Sequence, residues 1–529
     1  MQGRAELGHE ERWSDPDAST HPPAAPGGGG GGLSIVAEYL KTAAPGAGEA
    51  PSIIEFYEVP TIIRGVKAYV AIAEHGGELY YVPVEPTLTE AEKKILERIR
   101  ELLVYEYVPK SARETRNPLK VLVKAFEYAL RRLELIGRLR PYVVRKIFYH
   151  LYRDYLGYGP LEIPMRDPYI EDISVPGVNE HVYVWHSRYE NLRTPITFHS
   201  EAELERIEQL IAVKSRIQLT TAQPIVGVVT PEGYRAHIVL GIVAAKGGTI
   251  TIRRFRAVPF TILELVKSKT LNLDIAAYFW YLVEHKRSIV IFGSTGAGKT
   301  TLLNAVAMLI RPSMKIITIE ETREINLLHP HWVPLVAREI PGVTRVTLYD
   351  LLKSSLRQRP DYVIVGEIRG EEAYVFFQAM ATGHGGMTTI HGESLTSITN
   401  RLISPPMNIP VEQIGVVDAF VHIARVRIGD RVVRRVIEVA EVADIDRERR
   451  SVEYNKVFRW TGEITDTFQQ GKSLVMNRIA EYRGVDITVV EHEVLERRRF
   501  LEDLYRRGVF SYREFAKEVM AFYLERGAA

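Results

Sequence analysis

The stretch from Ser288 to Val306, SIVIFGSTGAGKTTLLNAV, constrains this chain more than any other. Gly293 to Thr300 satisfy the spacing G-x-x-x-x-G-K-[ST] of a phosphate-binding loop. Before it, Ile289, Val290, Ile291 and Phe292 read as a buried strand; after it, Leu302, Leu303, Val306 and Leu309 recur at helical spacing. The order is strand, loop, helix. A glycine-rich turn at the positive end of a helix turns successive backbone N–H groups onto a polyphosphate. The expected nucleotide-binding set is therefore Gly293, Ser294, Thr295, Gly296, Ala297, Gly298, Lys299, Thr300 and Thr301. Lys299 is expected to reach the β and γ phosphates, and the Thr300 hydroxyl to sit on Mg²⁺.

Around this loop the chain divides by pattern. With 529 residues it is too long for one core and suggests three or so domains. Residues 1–32, rich in Asp, Glu, Pro and Gly, are expected to form a disordered tail. Residues 33–150 read as an α+β and helical module, with a hairpin turn at His75, Gly76 and Gly77 and a T-x-x-E cap at Thr89 and Glu92 opening the first helix. Residues 151–257 read as an α+β domain, and Pro259 with Thr261 as a hinge into an α/β domain over 258–450. Residues 451–529 are expected to be a largely helical segment packed on the body of the protein. With no cysteine there is neither a disulfide nor a Cys-based zinc site. The sequence shows neither a leader with an apolar core nor a membrane-length apolar run, so a cytoplasmic location is expected.

Hydrolysis of a nucleoside triphosphate needs a cradle, a metal, a carboxylate near the attacking water and positive charge for the developing phosphoryl charge. Three apolar strands after the loop end in polar residues. KIITIEETREINL presents Glu320, Glu321 and Glu324; PDYVIVGEIRG presents Glu367, preceded by Gly366 where a second acid is usual; TGHGGMTTIHGES carries His384 and His391. The histidines lack the partners of a metal site and read equally as phosphate sensors, interface contacts or structural residues.

GSTGAGKTT, TIEETREINL, LRQRPDYVIVGEIRG and ATGHGGMTTIHGES, in this order, resemble the Walker A, Asp box, Walker B and His box of the secretion superfamily of ATPases. That superfamily includes type II secretion, type IV pilus assembly, archaellum and type IV secretion ATPases. Upstream, GYGPLEIPMRDPYIEDISV and TPEGYRAHI resemble its N-terminal domain, so the likeness spans roughly residues 80 to 440, in the manner of its archaeal branch.

The resemblance implies a RecA-like P-loop ATPase domain behind an α+β N-terminal domain, in a homohexamer with ATP and Mg²⁺ as cofactors. It implies Thr300 and Glu367 at the metal, Glu320 or Glu321 as catalytic carboxylate, and His384 and His391 as the His-box pair. It implies arginines from the N-terminal domain, for which Arg235, Arg253, Arg254 and Arg256 are the candidates. The implied partner is a polytopic platform protein at the inner face of the cytoplasmic membrane, and the activity is assembly of a pilus-like filament or protein secretion. The net charge of +2 argues against direct nucleic-acid binding. A nucleic-acid-translocating ring and an ATP-dependent assembly scaffold are the alternatives.

Overall fold

The computed structural model describes residues 36, 52–107, 117–254, 258–338, 345–429, 431–449 and 451–527. The expected disordered tail and Arg256 lie outside these residues. The chain divides into two compact units, Met1–Arg256 and Ala257–Ala529.

The first unit is built on one sheet of nine strands: β1 (Ser52–Val59), β2 (Ala68–His75), β3 (Glu78–Val84), β4 (Ile170–Val175), β5 (His181–His186), β6 (Glu190–Thr197), β7 (Ile225–Val229), β8 (Arg235–Val239) and β9 (Thr249–Arg253). Their spatial order is β1-β2-β3-β6-β5-β4-β9-β8-β7. Neighbours run antiparallel except β3 and β6, which meet in parallel at Tyr80 and Arg193. This junction carries the sheet across residue 150, where the sequence suggested a division. Side chains alternate along β5, so Val182 and Val184 reach the core while Tyr183 is half-buried.

Helix Glu201–Lys214 packs Leu204, Ile207 and Ile211 among Ile173, Val184, Ile238 and Ile252 of the sheet. Three helices, Glu90–Tyr105, Pro118–Arg132 and Pro141–Tyr155, share a separate core around Ile99, Phe126, Ile147 and Leu151. Thr89 and Glu92 cap the first of them reciprocally, as the sequence predicts.

The second unit is also one nine-stranded sheet: β10 (Ile289–Gly293), β11 (Ile316–Glu320), β12 (Trp332–Val336), β13 (Tyr362–Val365), β14 (Gly385–His391), β15 (Ala419–Ile428), β16 (Arg431–Asp446), β17 (Ser451–Trp460) and β18 (Phe468–Gln470). The order is β12-β11-β13-β14-β10-β15-β16-β17-β18. The six strands from β12 to β15 are parallel; β16, β17 and β18 extend them antiparallel. Ile289 and Ile291 of β10 enter one apolar cluster with Leu302 and Val306, while Val290 and Phe292 enter another with Val363 and Phe376. Helices therefore cover both faces, which is why these strands read as unbroken apolar runs.

The segment after 450 differs from the expectation in its first part. SVEYNKVFRW pairs with β16 and β18 as strand before the helices Leu474–Arg483, Ile487–Arg506 and Tyr512–Glu525 begin. Those helices pack on helix Leu273–Glu284. Trp280 Nε1 donates to the Tyr523 hydroxyl at 2.7 Å, and buried Arg497 pairs with buried Glu284. The carboxylate of Glu441, on β16, accepts from the Tyr278 hydroxyl at 2.7 Å, from the Leu474 N–H at 2.6 Å and from the Ser473 hydroxyl. It thereby fixes the start of the first C-terminal helix to the sheet.

Candidate active site

In a parallel sheet the C-terminal ends of the strands share one edge. Here that edge carries Gly293 at the end of β10, Glu320 at the end of β11, Glu367 just after β13 and His391 at the end of β14. The phosphate loop turns from β10 into helix Lys299–Ala307 through Gly298, whose φ of +96° is open to glycine and strained for other residues. Ser294 and Thr295 are exposed, Gly296, Thr300 and Thr301 half-buried, and Ala297 buried under the turn.

Lys299 is only 7% exposed. Its ammonium donates to the carbonyls of Gly293 at 3.0 Å and Ser294 at 2.9 Å, and to Nδ1 of His391 at 3.2 Å. On the far side of the imidazole, Nε2 lies 3.4 Å from Oε1 of Glu367. Lysine, histidine and glutamate thus form a line from the loop across β14 to β13.

Glu320 ends the adjacent strand and is 3% exposed. Its Oε1 accepts the backbone N–H groups of Glu324 and Ile325, both at 2.9 Å. Its Oε2 is buried with no hydrogen-bond partner among the described residues. Burial pushes the carboxyl up to about 7, against the pull of those two N–H groups. A buried acceptor aimed at a strand tip and poised near neutrality fits a group that meets water or a metal-bound ligand there. Gly366 makes room for it: a Cβ on Gly366 would lie 3.2 Å from Cγ of Glu320. A side chain on the glycine that stands where a second acid is usual would therefore press on Glu320.

Two expected residues fall elsewhere. Glu321 is turned outward to the guanidinium of Arg369, so of the two Asp-box glutamates only Glu320 is buried at the strand tip. His384 precedes the first residue of β14, the full length of that strand from His391, or about 20 Å at the usual rise. Its Nδ1 lies 3.1 Å from both the Thr382 hydroxyl and the Ala379 carbonyl, which close the preceding helix. The two histidines do not share a site.

In the first unit, Arg235 and Arg253 stand directly opposite each other on β8 and β9, both exposed. Like charges in that position repel, and Asp172 of β4, opposite Arg253 on its other side, offsets part of that cost. Arg254 is engaged differently. Its guanidinium donates to the carbonyls of Pro164, Asp167 and Ile170 and lies over the ring of Tyr234, so it holds the local backbone together.

Sequence reasoning missed two arginines. Arg425 of β15 and Arg434 of β16 are cross-strand partners, and Arg434 Nε donates to the carbonyl of Gly296 at 3.1 Å. Their strands read as an ordinary hairpin around Gly429. Only the parallel pairing of β15 with β10 brings that hairpin beside the loop.

Comparison with known proteins shows the family. The family described as "Type II/IV secretion system protein" matches residues 158–484, more than half of the chain. The chain belongs to that family. This secretion-system family member is 35% identical over 474 residues to an uncharacterized protein of Methanocaldococcus jannaschii, covering 84% of the chain and 85% of the relative. It is 36% identical over 207 residues to the conjugal transfer protein TrbB of Rhizobium radiobacter, covering 37% of the chain and 62% of the relative. Among solved structures, the VirB11 ATPase from the Brucella suis type IV secretion system matches 55% of the chain and 95% of its own length at 27% identity, with a TM-score of 0.28. The family match includes residues of both compact units, from before β4 to the first C-terminal helix.

Proposed function

We propose that this chain is an ATP hydrolase that works as a hexameric motor for a secretion or pilus-assembly machine. The observation that carries the reading is the convergence of Lys299, His391, Glu367 and the buried Glu320 at the tips of adjacent parallel strands beside the phosphate loop.

In this reading the loop N–H groups and Lys299 hold the phosphates, and the Thr300 hydroxyl and Glu367 hold Mg²⁺. The cation supplies charge neutralisation on the phosphoryl oxygens. Among the described residues there is no cluster of three or more His, Asp or Glu side chains arranged as a metal cage. That is compatible with an ion held by few protein groups and by substrate phosphates, the usual manner of Mg²⁺. Glu320, with its buried Oε2 unpartnered among the described residues, orients the attacking water and takes its proton. Arg235 and Arg253 are the arginines proposed to supply positive charge to the developing phosphoryl charge in the assembled ring. Among the described residues no helix is long and apolar enough to cross a membrane. The proposed partner is a polytopic platform protein at the inner face of the cytoplasmic membrane.

The test is the steady-state ATPase rate of wild type, Glu320→Gln and Glu321→Gln, with oligomer mass recorded in each sample. Loss of a general base lowers the rate by about 100-fold or more, so Glu320→Gln is expected to bind nucleotide and turn over at most about 1% as fast. Glu321→Gln is expected to stay within about threefold. Rings that form while all three proteins hydrolyse equally slowly would return the chain to the scaffold reading, and equal fast rates would remove Glu320 as the base. The likeness to a conjugal transfer protein favours a second reading, a ring that moves nucleic acid. Stimulation of the ATPase by single-stranded DNA, lost between low and moderate salt, would select it.

A further inference from the structure

The sheet order gives the phosphate loop two different sides. On one side of β10 stand β14, β13 and β11, with His391, Glu367 and Glu320 at their tips; on the other stand β15 and β16. In the proposed reading the γ phosphate lies toward the acids, and the hairpin stands on the opposite side of β10, where ribose and base would leave the loop. Phe292 of β10 is level with His422 of β15, so Arg425 lies three residues further on, about 10 Å beyond the level of Phe292 and alongside the loop. Arg434 faces it across the pair. A Cβ on Gly296 would lie 3.8 Å from the Arg425 guanidinium, and one on Gly298 would lie 3.2 Å from Cδ of Arg434. The bond from Arg434 Nε to the Gly296 carbonyl fixes the plane of that guanidinium at the rim of the cradle.

We propose that Arg425 and Arg434 receive the nucleoside end of the bound nucleotide, their guanidinium planes stacking on the ribose and base as these leave the loop. Guanidinium groups stack on aromatic faces of any base, so the pair grips the nucleoside without selecting it by hydrogen-bond pattern. The proposal rests on the nucleotide-binding reading above and adds residues that the four sequence blocks do not contain.

Pyrophosphate fills the cradle and lacks ribose and base, which separates the two ends of the ligand. Binding of ADP and of pyrophosphate to the full chain is measured by calorimetry for wild type, Arg425→Ala and Arg434→Ala, with thermal melting of each protein alone. Loss of a base-stacking side chain predicts ADP affinity reduced by about tenfold in each variant. Pyrophosphate affinity is expected to remain within about twofold. A parallel fall in pyrophosphate binding would overturn the proposal in favour of a loop-holding role, and unchanged ADP binding would overturn it outright. Should Arg434→Ala melt without a folded baseline, Arg425→Ala, at an exposed strand position, decides alone. A wild-type protein that bound neither ligand would remove the nucleotide reading itself, and this proposal with it.

Discussion

The ammonium of Lys299 lies 3.2 Å from Nδ1 of His391, and the opposite nitrogen of that ring lies 3.4 Å from Oε1 of Glu367. An ammonium has no lone pair to offer, so Nδ1 accepts and the ring proton sits on Nε2, facing the carboxylate. A phosphate that draws Lys299 off the carbonyls of Gly293 and Ser294 therefore changes the partner of His391, and through it the setting of Glu367. His391→Ala is predicted to lower the turnover number by about tenfold or more while ADP affinity stays within about threefold, measured by steady-state kinetics beside direct titration. Equal losses in both would assign His391 to binding alone.

Gly366 and Glu320 are coupled by space. Gly366→Ala places a methyl 3.2 Å from the Glu320 side chain, tighter than ordinary contact. Because the carboxylate is wedged between that position and the N–H groups of Glu324 and Ile325, it must shift. The expected outcome is an ATPase rate at least about tenfold lower with a melting temperature close to wild type. Gly366→Asp, which restores the usual second acid, is predicted to be worse still, since it adds a charge beside a carboxyl already pushed up to about 7.

The pH dependence follows from that same group. Glu320 has a folded value of about 7 against 4.5 for a free side chain. Between those values the folded protein binds more protons than the unfolded chain, so this residue makes stability fall as pH rises through that window and level off above about 7. The difference corresponds to about 3 kcal/mol. Urea melts at pH 5 and pH 8 are predicted to show wild type losing stability relative to Glu320→Gln by that order. The hydrolysis rate moves the opposite way, rising with pH through about 7 as the carboxylate forms. A variant and wild type with parallel stability profiles would refute the assignment.

Glu441 holds the C-terminal helices to the sheet. Replacing it with alanine strands the Tyr278 and Ser473 hydroxyls and the Leu474 N–H in the interior. Each orphaned buried donor costs about 1–3 kcal/mol, so Glu441→Ala is predicted to lose at least about 3 kcal/mol in urea denaturation. Nucleotide affinity measured well below the midpoint should not change.

The local signals were strong where the chain's own neighbours decide the structure. The loop from Gly293 to Thr300, the cap of Thr89 and Glu92, and the hairpin after Ile428 all involve residues within a few positions of each other, and each forms as its sequence predicts. Glu320, Glu367 and His391 were legible as strand ends because apolar runs stop there. What the sequence determined, then, was the nucleotide cradle and the polar ends of the strands beside it.

The tertiary structure decided which side chains meet. It turned Glu320 inward and gave Glu321 to Arg369, a choice of direction at the end of a strand that composition does not encode. It separated His384 from His391 by the length of β14, and it joined residues on both sides of position 150 into one sheet through Tyr80 and Arg193. It also brought Arg425 and Arg434 to the loop, more than a hundred residues away in sequence. The physical reason is the same in each case. Strand order and facing are settled by which apolar faces bury one another across the whole sheet, and no window of neighbouring residues carries that information.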